Sequence, residues 1–182
     1  MRPSNVFVLC TGRCGSVTFA KACGHLTNFT AAHESRVKLP GMDRVAYPAN
    51  HIEVDNRLGW FLGHLQSRYG DDAYYVHLTR NRDAVARSFN GRWHLRSSIM
   101  RAYAEQICMT SPKDPLAMCY DYIDAMTSNI EAFLRDKTNV FRMRMEEHAK
   151  EFPAFLEWIS AEGNIDLSIL EWRTAHNRSR RA

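Results

Sequence analysis

The stretch whose reading decides the fold is Asn5-Val-Phe-Val-Leu-Cys10, Thr11-Gly-Arg-Cys-Gly-Ser16 and Val17-Thr-Phe-Ala-Lys-Ala-Cys23. It predicts a strand, a tight loop and a helix in that order. The apolar run from Val6 to Leu9 is short, β-branched and aromatic, and Thr11 and Gly12 punctuate it, as expected of a parallel strand buried on both faces. Gly12 and Gly15 free the backbone to turn sharply. Ser16 reads as the N-cap of a helix whose Val17, Ala20 and Cys23 share one side. The loop amides and the positive helix end then converge on one point, which suits an anion. Arg13 brings a fixed cation to that point. A βα turn whose glycines serve geometry alone gives the same local pattern.

Beyond this helix, Phe29-Thr-Ala-Ala32 predicts a second short strand ending at His33-Glu34-Ser35-Arg36. Ligands of open α/β sheets bind beyond the carboxyl ends of the strands, so His33 and Glu34 are candidates for chemistry, with a solvated loop pair as the alternative. Val37 to Pro48 is a Pro- and Gly-punctuated loop. Ala49 to Asp55 alternates and suggests a third strand, with His51 and Glu53 on the polar side of an edge strand and Asp55 capping a helix from Asn56 to Tyr69. Leu58, Phe61, Leu62 and Leu65 give that helix a core-facing stripe. Ala73 to Thr79 is the clearest internal strand, and Arg80-Asn-Arg-Asp-Ala-Val-Ala-Arg-Ser88 opens a helix directly after it. This second strand-to-helix corner also carries cations at its mouth, although a charged surface turn fits as well. From Trp93 to Lys137 the pattern is helical, interrupted at Thr110 to Pro115. Asn139 to Arg144 predicts a last strand, a helix follows, and Trp172 to Arg181 is a basic tail. Strands alternate with helices throughout, which predicts a single-domain, three-layer α/β/α fold over residues 1–182 with a central parallel sheet of about five strands.

Bulk properties narrow the function classes. A chain of 182 residues suits one domain with a real core, and 45% hydrophobic with 24% charged residues is ordinary for a globular protein. A formal charge of +4 supports an anionic ligand weakly and a nucleic-acid partner not at all. The five cysteines, Cys10, Cys14, Cys23, Cys108 and Cys119, show no CxxC pair or Cys/His ligand spacing. Reduced thiols, no zinc and no disulfide are therefore expected. No apolar run reaches the length of a membrane span, and the N-terminus lacks the longer apolar region of a signal peptide, so the expected location is cytoplasmic.

Taken together, the two corners resemble the PAPS-dependent sulfotransferases, a family with a P-loop-like fold that binds 3′-phosphoadenosine 5′-phosphosulfate. Gly12-Arg-Cys-Gly-Ser-Val-Thr18 is similar to that family's 5′-phosphosulfate loop, with Arg13, Gly15 and Ser16 on its basic, Gly and hydroxyl positions. Arg80 at a strand end, followed eight residues later by Ser88 in the next helix, resembles the 3′-phosphate motif. The resemblance implies donor contacts from Gly12, Arg13, Cys14, Gly15, Ser16, Val17, Arg80 and Ser88. It also implies Arg13 as the group meeting charge on the transferred sulfuryl, and Glu34, or failing it His33, as general base. The donor would be PAPS, the product PAP, with no metal required and a small-molecule, carbohydrate or lipid hydroxyl (or amine) as acceptor. Cys14 stands where Ser is usual, Val17 where Thr is frequent, and no proline follows Arg80. The basic tail is expected either to stay flexible or to close over the adenosine 3′-phosphate.

Two other readings remain open. A P-loop phosphotransferase using ATP or GTP would require GxxxxGK[ST], and here the loop is shorter and has no lysine. A non-catalytic domain that binds an anion or a partner would keep the fold without the activity. A Cys-x5-Arg phosphatase is set aside, because that spacing leads from Cys10 to Ser16 and from Cys14 to Ala20.

Overall fold

In a computed structural model, residues 4–174 and 176 are described. The first strand, β1 (Asn5–Leu9), is buried along its whole length and runs through the middle of a five-stranded parallel sheet. The other strands are β2 (Thr30–His33), β3 (His51–Val54), β4 (Ala73–Thr79) and β5 (Val140–Arg144), in the order β2-β3-β1-β4-β5. The alternating residues of β1 serve two cores. Val6 and Val8 pack with Phe19, Phe152 and Phe155 on one face. Phe7 and Leu9 pack with Leu58, Tyr75, Phe89 and Tyr122 on the other. Burial on both faces explains why β1 reads as a continuous apolar run.

The helices divide accordingly. On the first face lie α1 (Ser16–Cys23) and two later helices, supplying Phe19 and the Phe152 and Phe155 rings. On the second lie α2 (Leu62–Tyr69), α3 (Arg82–Asn90), the short α4 (Ile99–Arg101) and α5 (Pro115–Leu134). After β5 come α6 (His148–Trp158) and α7 (Ile165–Leu170), followed by a 3₁₀ turn, Glu171–Arg173. The expected three-layer α/β/α architecture with a parallel sheet is what the chain forms.

The path of the chain fixes where a ligand would sit. From β1 it crosses to the outer strand β2, returns inward to β3, and then passes beyond β1 to β4. Successive connections therefore leave β1 on opposite sides, and a crevice opens at its carboxyl end.

Four local expectations are corrected. Ser16 is not the cap of α1 but its first residue. Gly15 caps it, with φ 87° and ψ 13°, and makes no side-chain hydrogen bond. β3 is not an edge strand: it pairs with both β1 and β2, and His51 and Glu53 are buried. The continuous helix expected from Asn56 to Tyr69 is split into a 3₁₀ turn, Asn56–Trp60, and α2. Gly59 lies within that turn, where a Cβ would stand 2.1 Å from Met126 Sδ, so α5 presses on the backbone there. Finally, residues 93–98 form no regular helix, and Ala102–Ile107 form a π-helix after α4.

Candidate functional site

The loop between β1 and α1 is made by local backbone geometry. Gly12, Arg13 and Gly15 have φ of 86°, 59° and 87°, a left-handed region that Gly enters without strain and Arg does not. Positive φ at these three positions bends the chain sharply into the start of α1, a geometry able to present backbone N–H groups to an anion. The glycines also meet close neighbours. A Cβ on Gly12 would lie 3.1 Å from Asn56 Nδ2, and one on Gly15 3.3 Å from the ring of Trp172. The side chain of Cys14 points into the core and is fully buried, so this residue offers an anion only its backbone. Cys10 and Cys14 share a hydrogen bond, and this, with burial, holds the Cys10 thiol well above its ordinary range. A protonated thiol in the core is no nucleophile.

The second corner joins the first directly. Arg13 Nε donates to Ser88 Oγ at 2.9 Å across a separation of 75 residues. Arg80 Nη1 donates to the backbone carbonyl of Arg13 at 3.0 Å. Asn81 caps α3 by accepting from the Ala84 amide, and Asp83 in the first turn also accepts from Tyr120. Burial, followed by the charges of Arg92 and Arg80, lowers Arg13 from 12.5 to about 10. Arg13 remains charged at neutral pH, and the three neighbouring guanidiniums repel one another until an anion lies among them. Arg92, two residues beyond α3, carried no motif signal in the sequence; only its nearness to Arg13 singles it out.

The third component comes from the carboxyl ends of β2 and β3. His33 closes β2, and its Nε2 lies 3.1 Å from Ser16 Oγ, so the hydroxyl expected to cap α1 faces the second strand instead. Glu34 takes a left-handed φ of 53°, and its carboxylate pairs with Arg57 Nη1 at 2.8 Å. The residue after it is held from below: the Ser35 amide and hydroxyl donate to the fully buried Glu53 at 2.7 and 2.6 Å. Glu53 in turn lies 3.0 Å from His51 Nε2, and the other nitrogen of His51 lies 2.8 Å from Thr30 Oγ1. The residues assigned from alternation to an exposed strand face thus form a buried polar chain that fixes the Glu34 turn.

Arg57 is set by Asp55, which accepts from the Arg57 amide at 2.7 Å and forms a buried ion pair with Arg44. Burial pushes the Asp55 carboxyl up, and Arg44 holds it back. Desolvation likewise works against the Arg44 charge, and Asp55 more than offsets it.

These components meet in one cavity of about 130 Å³. Gly12, Arg13, Ser16 and Val17 form one wall, His33 and Glu34 a second, and Asn56, Arg57, Phe89 and Ile99 the remainder. Asn56 is buried, and its Oδ1 has no hydrogen-bond partner among the described residues. Arg80 and Ser88 do not line this cavity; they stand behind Arg13, bonded to its carbonyl and guanidinium. Of the tail, Trp172 packs against Phe19, Phe152 and His148 and bears on the Gly15 side of the loop. The tail arginines Arg178, Arg180 and Arg181 lie outside the described residues. Among the described residues no cluster of three or more His, Cys, Asp or Glu has the arrangement of a metal site, and no helix is long and apolar enough to cross a membrane.

The chain matches no protein-family model and no curated protein sequence. Its fold does have counterparts among solved structures. It is similar to a sulfotransferase domain from the curacin biosynthetic pathway, with a TM-score of 0.68 and 13% identity over 92% of this chain and 77% of that one. It is also similar to the mouse sulfotransferase SULT7A1 complexed with PAP, with a TM-score of 0.58 and 12% identity over 95% of this chain and 64% of that one. What is shared at such identities is the course of the backbone: the chain has a sulfotransferase-like α/β fold.

Proposed function

We propose that the chain is a single sulfotransferase-like domain that moves a sulfuryl group from PAPS to a hydroxyl or amine of an acceptor. The observation that carries this reading is the direct bonding of the two motif corners, Arg13 to Ser88 and Arg80 to Arg13. A loop concavity alone suits any phosphate. A loop whose own arginine is tied to a second cationic corner suits a ligand with two separate anionic groups, as a nucleotide with a 5′-phosphosulfate and a 3′-phosphate has. One of the solved structures of the same fold is described as complexed with PAP, which is consistent with that ligand class.

The residues fit the donor. The amides of Gly12 to Ser16 would hold the 5′-phosphate at the helix end, and Arg80, Ser88 and Arg92 would take the 3′-phosphate. Arg13, between them, would neutralise charge that grows on the bridging oxygen as the sulfur–oxygen bond breaks, with that electron pair leaving on PAP. Glu34 lines the same cavity and would accept the acceptor's proton as its oxygen or nitrogen bonds to sulfur. His33, 3.1 Å from Ser16, is better placed to hold the loop hydroxyl than to reach an incoming acceptor. Transfer of this kind depends on positioning and on charge neutralisation more than on covalent help from the protein.

A calorimetric titration tests the reading. PAP should bind in the absence of magnesium and more tightly than ATP with magnesium. A preference for ATP with magnesium would establish the phosphotransferase instead, and silence toward both would favour a domain that binds some other partner.

A further inference from the structure

Next to the transfer cavity lies a larger one of about 270 Å³. The two share Arg57 and Ile99, and Arg57 is the residue paired with Glu34. Its lining is unsuited to an apolar acceptor, since Ile99 is its one large aliphatic side chain, whereas Arg57, Arg96 and Arg101 supply three guanidiniums against the single carboxylate of Glu105. Ser97, Ser98 and Gln106 add neutral polar groups.

Arg101 pairs with Glu105 one turn ahead, and 34% of its side chain stays exposed, at a residue that lines the cavity. A guanidinium carries five donors, more than one carboxylate takes up, so the group suits a second oxyanion. The wall carrying Glu105 and Gln106 is the π-helix Ala102–Ile107. Such wide turns occur often at functional sites, where they re-aim side chains that an α-helix would direct elsewhere.

From this geometry we infer that the acceptor is itself an anion, a hydroxyl- or amine-bearing molecule with a carboxylate, sulfate or phosphate that docks on Arg96 and Arg101. The inference rests on the sulfuryl-transfer reading and narrows it. Arg57 stands at the junction of the two cavities with Glu34 on one side, so it would hold the base and the near end of the acceptor in one register. Phenols and lipids without an acidic group would be poor occupants, because they would desolvate three arginines without replacing the lost water.

The test uses protein saturated with PAP, titrated by calorimetry with glucose, glucuronate, glucose 6-sulfate and glucose 6-phosphate, and with 4-hydroxyphenylacetate against its neutral amide. At least one anion should bind about tenfold more tightly than its neutral counterpart, a difference of about 1.4 kcal/mol. That preference should vanish in Arg96→Glu and fall in Arg101→Ala, with PAP affinity unchanged in both. Equal affinity for charged and neutral members, or no binding of any anion at millimolar concentration, overturns the inference. Failure of PAP itself to bind would instead overturn the donor reading, so the two can fail separately.

Discussion

At the carboxyl end of β1 the chain turns through Thr11 to Gly15, and the candidate anion-binding loop there is built mainly of its own backbone and one side chain, Arg13. At the carboxyl end of β2 it turns through Glu34 and Ser35, and nothing local holds that turn in place. The first corner has two glycines at positive φ and a following helix end. The second has a glutamate at positive φ, held because Glu53 on the neighbouring strand grips Ser35 and Arg57 grips Glu34. A turn made by its own backbone tolerates change in its surroundings, whereas one held by side chains from other segments passes their disturbance on to Glu34. Donor recognition should therefore withstand changes on the β2–β3 side, and turnover should not.

The largest expected effect follows from that asymmetry. Glu34→Gln should lower kcat by about 10²- to 10⁴-fold, as loss of a general base does, with PAP affinity left near the wild-type value. Arg13→Ala should reduce turnover by orders of magnitude as well, but should weaken PAP binding at the same time. Paired kcat and PAP titrations of the two variants separate the corners; loss of PAP binding in Glu34→Gln would break the comparison.

Next comes the support of the second corner. Asp55→Ala leaves Arg44 buried without its carboxylate, and breaking such a pair costs about 3–5 kcal/mol. The expected outcome is a lower denaturation midpoint in urea and, where the variant stays folded, a loss of turnover greater than the loss of PAP affinity. Unchanged stability would mean that the Arg44 and Asp55 pair does not hold the loop.

Arg80→Ala should act on the donor corner alone. It removes a charged donor from the Arg13 carbonyl and a cation from the 3′-phosphate position, worth about 1.5–3 kcal/mol, or roughly ten- to 150-fold in the PAP dissociation constant. Activity at saturating PAPS should recover most of the wild-type rate. A fall in kcat without a change in affinity would reassign Arg80 from binding to chemistry.

The smallest effect is one of pH. Burial and neighbouring charges lower Arg13 to about 10, and a bound anion stabilises its charged form. Its affinity should therefore be level through neutrality and decline as pH rises through about 10. Near that pH, complex formation should take up a proton, seen as a buffer-dependent heat in calorimetry. Arg13→Ala should abolish the uptake.

The parallel sheet and both strand-to-helix corners were legible in the sequence because each is a local signal. Val6 to Leu9 and Ala73 to Thr79 are short apolar runs, and Gly12, Gly15, Arg80 and Ser88 fall at fixed distances from the strand ends they follow. The order of helices and strands follows from hydrophobic periodicity within single segments. His33 and Glu34 were legible as charge at a strand end, though not that His33 meets Ser16 while Glu34 pairs with Arg57.

Other features depended on the tertiary structure. Alternation placed His51 and Glu53 on an exposed edge, but a polar pair on an outer strand and a bonded polar pair on an inner strand have the same period. Pairing of β3 with both β1 and β2 decided between them by burying the pair and giving it Ser35 and Thr30 as partners. Arg57, Arg92, Arg96 and Arg101 are ordinary surface-type arginines in sequence, without motif or spacing. The crossover at β1 and the π-helix after α4 bring distant segments together, so that Arg92 comes near Arg13 and the other three line the neighbouring cavity, and the meaning of a charge depends on what stands within a few ångströms of it. Sequence alone determined the architecture and the two strand-to-helix corners, because each is a local pattern. Folding decided how Glu34 is held and which arginines line the neighbouring cavity, because those contacts join segments far apart in the chain.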